Sequence, residues 1–183
     1  MTLSFQRRGP AIANADINAF EVRIGRTLPT DYRRFLLVYN GGVPEHHVLR
    51  ESTTGDVGVQ LFYGIWDDGA FNIDMEQQLM RGRWPERFMS IAIDDCGNAF
   101  CISLGPPDYG SVYFWDHERE APEGEGPTED NLYLLGNSFT EFWNRLEPID
   151  RDTYLAEQGT LDLLDEESAG PDAPHSGSNG EPN

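Results

Sequence analysis

Residues 28–42 read LPTDYRRFLLVYNGG, and this stretch decides the fold. Pro29 sits where a helix begins, since its ring pre-sets φ and its missing N–H is not needed there. Tyr32, Phe35, Leu36 and Tyr39 then recur at helical spacing and mark one buried face. Asn40-Gly41-Gly42 ends the helix with residues that tolerate positive φ. Upstream, Ile17, Phe20 and Ile24 form a second helical stripe, which Asp16 can cap and Gly25 can close.

Downstream the period changes from helix to strand. Strand-like runs occupy Val57–Trp66, Met89–Asp94, Ala99–Leu104, Ser111–Trp115 and Leu132–Leu135. Met89, Ile91 and Ile93 alternate with Ser90, Ala92 and Asp94, which predicts one core face. Asp95-Cys96-Gly97-Asn98 predicts a tight turn into the next strand. A short helix is expected near Ile73–Met80. The last helix opens on the capping box of Ser138 and Glu141, with Phe139, Phe142, Trp143 and Leu146 buried. The fold class is therefore α+β: a central, mostly antiparallel sheet of five or six strands with flanking helices.

Charge bounds the function. The chain has 183 residues, 32 acidic and 13 basic, for a net charge of −19. Every basic residue is arginine, which excludes a P-loop and Schiff-base chemistry. Direct nucleic-acid binding needs basic clusters and is not expected, whereas basic partners should be attracted. Residues 1–115 carry a net of −4, residues 116–147 a net of −7, and the rest −8. Apolar periodicity fades after Pro148, so 1–147 is expected to be the domain and 148–183 an acidic, largely disordered C-terminal tail. A short helix through Tyr154, Leu155, Leu161 and Leu164 fits its first part; disorder is expected beyond Glu167. No secretory signal or membrane span is legible, which makes the cytoplasm the expected location.

Active-site chemistry is hard to find. Cys96 and Cys101 match neither a redox pair nor a zinc knuckle, and read as reduced thiols in a turn and on a strand. Asp94-Asp95 straddle opposite faces of a strand end. His46-His47 are adjacent in a loop and poorly placed to chelate one metal. If the Trp115 strand continues, Asp116 and Glu118 share a face and His117 points away. No catalytic residue, metal ligand or cofactor is therefore expected. Trp66-Asp67-Asp68-Gly69 reads either as packing or as a recognition patch, since an aromatic with surrounding charge is interface chemistry. The candidate partner-binding residues are Trp66, Asp67, Asp68, Asp116, Glu118 and Glu120, placed at the ends of adjacent-looking strands.

Taken in order, the motifs resemble a known group. Phe20-Glu21, Leu28-Pro29-x-Asp31-Tyr32-x-x-Phe35-Leu36 and Asn40-Gly41-Gly42 resemble the opening of SUKH domains. Phe62-Tyr63-Gly64, Ile91-Ala92-x-Asp94-x-x-Gly97-Asn98, Gly110-x-Val112-Tyr113-x-Trp115-Asp116-His117-Glu118 and Ser138-Phe139-x-Glu141-Phe142 follow in the same order. That superfamily includes the yeast cell-wall-assembly regulator and many bacterial immunity proteins. The resemblance spans residues 13–147 and implies a non-catalytic α+β domain. For bacterial members it implies binding and neutralising a cognate toxin, often a basic nuclease. The alternative it leaves is a regulatory or scaffolding interaction domain with no toxin. The oligomeric state is not legible.

Overall fold

A computed structural model describes residues 3–45, 47–52, 55–122, 124–150 and 152–153. Its class is α+β. The first helix, α1 (Asn14–Ile24), starts two residues before Asp16, whose carboxylate instead reaches back to accept from Ala13 N–H at 2.8 Å. Gly25 closes it with φ 67°. Helix α2 (Thr30–Val38) follows Pro29 as foreseen and ends in three positive-φ residues, Asn40, Gly41 and Gly42. Two further helices, α3 (Ile73–Leu79) and α4 (Phe139–Arg145), fall where the sequence places them. At α4 the capping box is half realised. Ser138 Oγ accepts from Glu141 N–H, but the Glu141 carboxylate turns to Asn137.

The strands form two sheets rather than one. The larger has seven antiparallel strands, beginning with β1 (Phe5–Arg8), β2 (Gly42–Pro44), β5 (Leu61–Phe62), β6 (Phe88–Ile93) and β7 (Ala99–Ser103), and completed by β8 (Val112–Trp115) and β9 (Leu132–Gly136) in that spatial order. The smaller places β10 (Leu146–Pro148), β3 (His47–Ser52) and β4 (Gly55–Gly58) side by side. The run expected as one strand over 57–66 is divided between them. Gly58 pairs with Val48 in the small sheet, while Leu61 and Phe62 pair with Ile93 and Ala92 in the large one. A bend at Val59–Gln60 makes the crossing, and a continuous β-prone run cannot disclose it. His47 proves to be strand rather than loop, with its ring against the Glu45 carbonyl.

The central hairpin is buried on both faces, not on one. Met89, Ile91, Phe100 and Ile102 meet Phe20, Phe35, Phe139 and Phe142 from the helices. Phe88, Ala99, Cys101 and Trp115 meet Trp84 on the other side. The Trp84 and Trp115 rings meet edge to face at 5.5 Å. Cys96 is exposed in the turn and Cys101 is buried on the strand. The first compact unit runs to Ile149. In the second, the Asp150 carboxylate accepts from Asp152 N–H at 3.0 Å. The expected helix around residues 154–164 and the tail beyond Glu167 lie outside the described residues.

One buried amide ties the entry of the chain to the middle of the sheet. Asn40 is 1% exposed, donates from Nδ2 to the Pro10 and Ile65 carbonyls, and accepts from Ile65 N–H at 2.8 Å. Backbone packs so closely around it that a Cβ at Gly64 would lie 2.0 Å from the Asn40 carbonyl oxygen. Leaving a buried polar group unpaired costs roughly 1–3 kcal/mol. Asn40→Ala strands three such groups and should lower unfolding free energy by about 3 kcal/mol or more. Urea denaturation reads this directly, and an unchanged midpoint would refute the role assigned to Asn40.

Candidate protein-binding surfaces

Trp66 leaves the sheet just after the Asn40 tie. Its indole N–H donates to the Phe71 carbonyl at 2.9 Å, and its ring packs on Phe71 at 4.8 Å. Arg7 from β1 stacks over both rings, 5.1 Å from Trp66 and 4.6 Å from Phe71. The same guanidinium pairs with Asp68 at 2.6 Å. Trp66 is thus half-buried with its donor satisfied, and Asp68 is neutralised. Asp67 alone in this corner projects freely.

The second group sits at the other end of the strands. Trp115 pairs with Ala99, directly above the hairpin turn, whereas β5 begins opposite Ile93 and runs away from that turn towards Trp66. The sheet therefore separates Trp66, Asp67 and Asp68 from Asp116 and Glu118, contrary to the adjacency expected from sequence. The strand also stops at Trp115. Asp116 caps a single 3-10 turn over His117–Arg119 by accepting from Glu118 N–H at 3.0 Å. A side chain capping its own turn outcompetes strand continuation, a common use of Asp.

A polar chain holds this end rigid. Asp94 accepts from Cys96 N–H, Asn98 N–H and Asn98 Nδ2 within the hairpin turn. Asn98 Oδ1 then accepts from His117 N–H at 3.0 Å and lies 2.8 Å from His117 Nδ1. Since that amide oxygen only accepts, Nδ1 carries the proton here. Buried Asn131 donates to the Asp116 carbonyl at 2.8 Å and ties down the far end of the connection.

Between those ties, acids in the connection 116–131 have two fates. Glu120 is pinned by Arg83, whose guanidinium also lies 4.6 Å from the Trp115 ring. The Arg83 hydrogen bond holds the Glu120 carboxyl below its usual range. Arg87 pins Glu129 and also reaches Asp108 at 3.3 Å. Glu118, Glu125 and Asp130 are exposed and make no ion pair among the described residues, as does Asp95 in the neighbouring turn. Asp95 belongs to this surface, but read alone it is an ordinary turn residue; only the Ala99–Trp115 pairing brings it to Glu118. Glu120, a candidate contact, is instead a structural anchor.

Sequence reading also missed a buried polar cluster beneath α3. Glu76 is 8% exposed and lies near Tyr63, Ser90 and Cys101, and its Oε1 and the Ser90 hydroxyl are buried without a hydrogen-bond partner among the described residues. Burial pushes its carboxyl above the usual range, and burial likewise raises the Tyr63 hydroxyl and the Cys101 thiol. A thiol held protonated is a poor nucleophile. No group of His, Cys, Asp and Glu that could hold a metal occurs among the described residues, nor any helix long and apolar enough to cross a membrane.

Residues 11–145 match the SMI1 / KNR4 family (SUKH-1). The chain belongs to that family. A SUKH-1 assignment agrees with the order of helix caps, central hairpin and final capped helix described above. The chain is also similar to the SPbeta prophage-derived uncharacterized protein YokK of Bacillus subtilis (strain 168). The two are 30% identical over 166 residues, covering 79% of this chain and 81% of the relative. The matched SUKH-1 region contains both surfaces, Trp66–Asp68 and the connection 116–131.

Glu76 makes stability depend on pH. Its folded-state pKa lies above that of the unfolded chain, so folding favours the protonated form. That contribution is complete below the unfolded pKa and is lost as pH rises through the folded value. Glu76→Gln removes the titration, so at neutral pH the variant should melt higher than the wild type. The difference should shrink as pH falls below the usual glutamate range. Thermal melts from pH 4 to 8 test this; a pH-independent difference would contradict it.

Proposed function

We propose that this SUKH-1 domain is a non-catalytic immunity-type protein that binds and neutralises a cognate toxin, a basic nuclease of a bacterial polymorphic toxin system. The observation that carries the reading is the division of acids along residues 116–131. Asp116, Glu120 and Glu129 are committed to caps and ion pairs, which hold the connection in place. Glu118, Glu125 and Asp130, with Asp95 beside them, keep their charge free for a partner. Several unpaired carboxylates carried on one face complement the positive charge of a basic nuclease cleft. The family supports a protein partner, and the prophage origin of the similar YokK protein is compatible with a role in competition between bacteria.

Within this reading the contact surface is the hairpin-turn end, with Glu118 central. Trp66, Asp67 and Asp68 lie outside it, and Glu120 supports it from beneath. Long-range attraction should govern association, while packed contacts govern dissociation.

The experiment is binding of the protein to the toxin domain encoded beside its gene, at low and high ionic strength. Reversing Asp95 and Glu118 to arginine should slow association about tenfold at low salt and flatten its salt dependence. Asp68→Asn, at the far corner, should leave the association rate within a factor of two of wild type. Salt-independent association by the wild type would sink the acidic-surface reading. A neighbour neither bound nor neutralised would remove the toxin from the proposal altogether.

A further inference from the structure

Among the described residues, seven arginines are held in ion pairs with carboxylates, including Arg7, Arg23, Arg33, Arg83 and Arg87. Arg8, Arg26, Arg34 and Arg81 make no ion pair or side-chain hydrogen bond there, and of these Arg26 and Arg81 line the same cleft. In a chain of net charge −19, two uncommitted guanidiniums facing one cavity are unusual.

The cleft lies at the opposite end of the central hairpin from the Asp94–Asn98 turn, near the Phe88–Ser103 pair. It has a volume of about 390 Å³, within the usual range for ligand sites. Its floor is apolar, formed by Ile24, Met89 and Leu104. Gln78 of α3 lines the cleft with its amide, Gln77 beside it donates to the Ser90 carbonyl at 2.9 Å, and the Arg23–Asp74 pair at 2.6 Å spans α1 and α3. Glu86 is the one lining acid without an arginine partner among the described residues, so the lining carries a net positive charge. A shallower groove along α1 shares Arg26 and Leu104 and adds Val22, which is 81% exposed. The two grooves meet at Arg26 and Leu104, so the cleft extends along α1, with Arg26 and Arg81 as its unpaired cations.

We infer that this cleft binds a short acidic segment of a partner protein, with an apolar side chain on the Met89–Leu104 floor and carboxylates on Arg26 and Arg81. Guanidinium forks match carboxylates in bidentate geometry, and the pairing gains most where an arginine is already partly desolvated, as half-buried Arg26 is. A primary amide suits a peptide backbone, which offers both donors and acceptors. A nucleic acid is disfavoured, because the field of the whole protein repels a long polyanion and two arginines cannot offset it. A short segment with two or three charges escapes most of that repulsion. The site is independent of the acidic surface proposed for a toxin, differing in position, charge sign and ligand.

The test is fluorescence anisotropy with the full-length protein and a fluorescein-labelled hexapeptide alternating leucine and aspartate. Saturable binding is expected, weakened tenfold or more by the Arg26→Gln, Arg81→Gln double variant, with melting temperature unchanged. Should the double variant misfold, Arg81→Gln alone, at an exposed position, should still weaken binding at least threefold. The same peptide with asparagine for aspartate should bind at least tenfold more weakly. Absence of binding, equal binding of the asparagine peptide, or full affinity in folded variants would overturn the inference. Displacement of the peptide by equimolar inorganic phosphate would also overturn it, by reducing the site to a simple anion site.

Discussion

Asn40 is the constraint on which the rest of the molecule depends. Its side-chain amide serves three backbone groups from two distant segments, Pro10 and Ile65, while its own backbone ends α2. The same residue that stops the helix therefore fixes where the N-terminal strand enters and where the chain leaves β5. Trp66, Arg7 and Asp68 fall into contact as a consequence. Few side chains could substitute. The site needs a donor and an acceptor on one short planar group, on a residue that tolerates φ of 49°.

The second organising fact is that β6 and β7 are covered on both faces. Antiparallel sheets often leave one face wet, and alternation in sequence then reports the core. Here Trp84 and α3 close the second face, and the acidic connection is pinned there by Arg83 and Arg87. The arginines consequently do structural work with most of their charge. Of the charges left uncommitted, Arg26 and Arg81 line a cleft at one end of the central hairpin, and Asp95 and Glu118 lie at the other. A strongly acidic chain is in this way polarised by which charges its fold consumes.

Much of the architecture was legible along the chain, and each success has a local cause. Helix ends at Gly25 and Asn40, the turn at Asp95–Asn98 and the cap at Ser138 depend on backbone conformations and hydrogen bonds within a few residues. The failures share a different cause. Dividing 57–66 between two sheets and burying Ser90 both follow from which distant segment happens to lie alongside. At the candidate surface the acidic character was legible from charge counts. The distinction between Glu120 as anchor and Glu118 as free carboxylate was not, because an ion pair to Arg83 spans 37 residues.

The sequence by itself determined the fold class, the identity of the main helices, the acidic bias of the second half and membership of a recognisable superfamily. These are properties of period, composition and short-range backbone preference, which exist before any long-range contact forms. Tertiary structure alone decided which charges are spent and which are left. It separated Trp66 from Glu118, brought the hairpin turn that carries Asp95 beside the His117 turn, and opened an arginine-bearing cleft between α1 and α3. Side chains far apart in sequence acquire partners only when strands pair in a definite register, and shifting that register by one residue would redistribute them all.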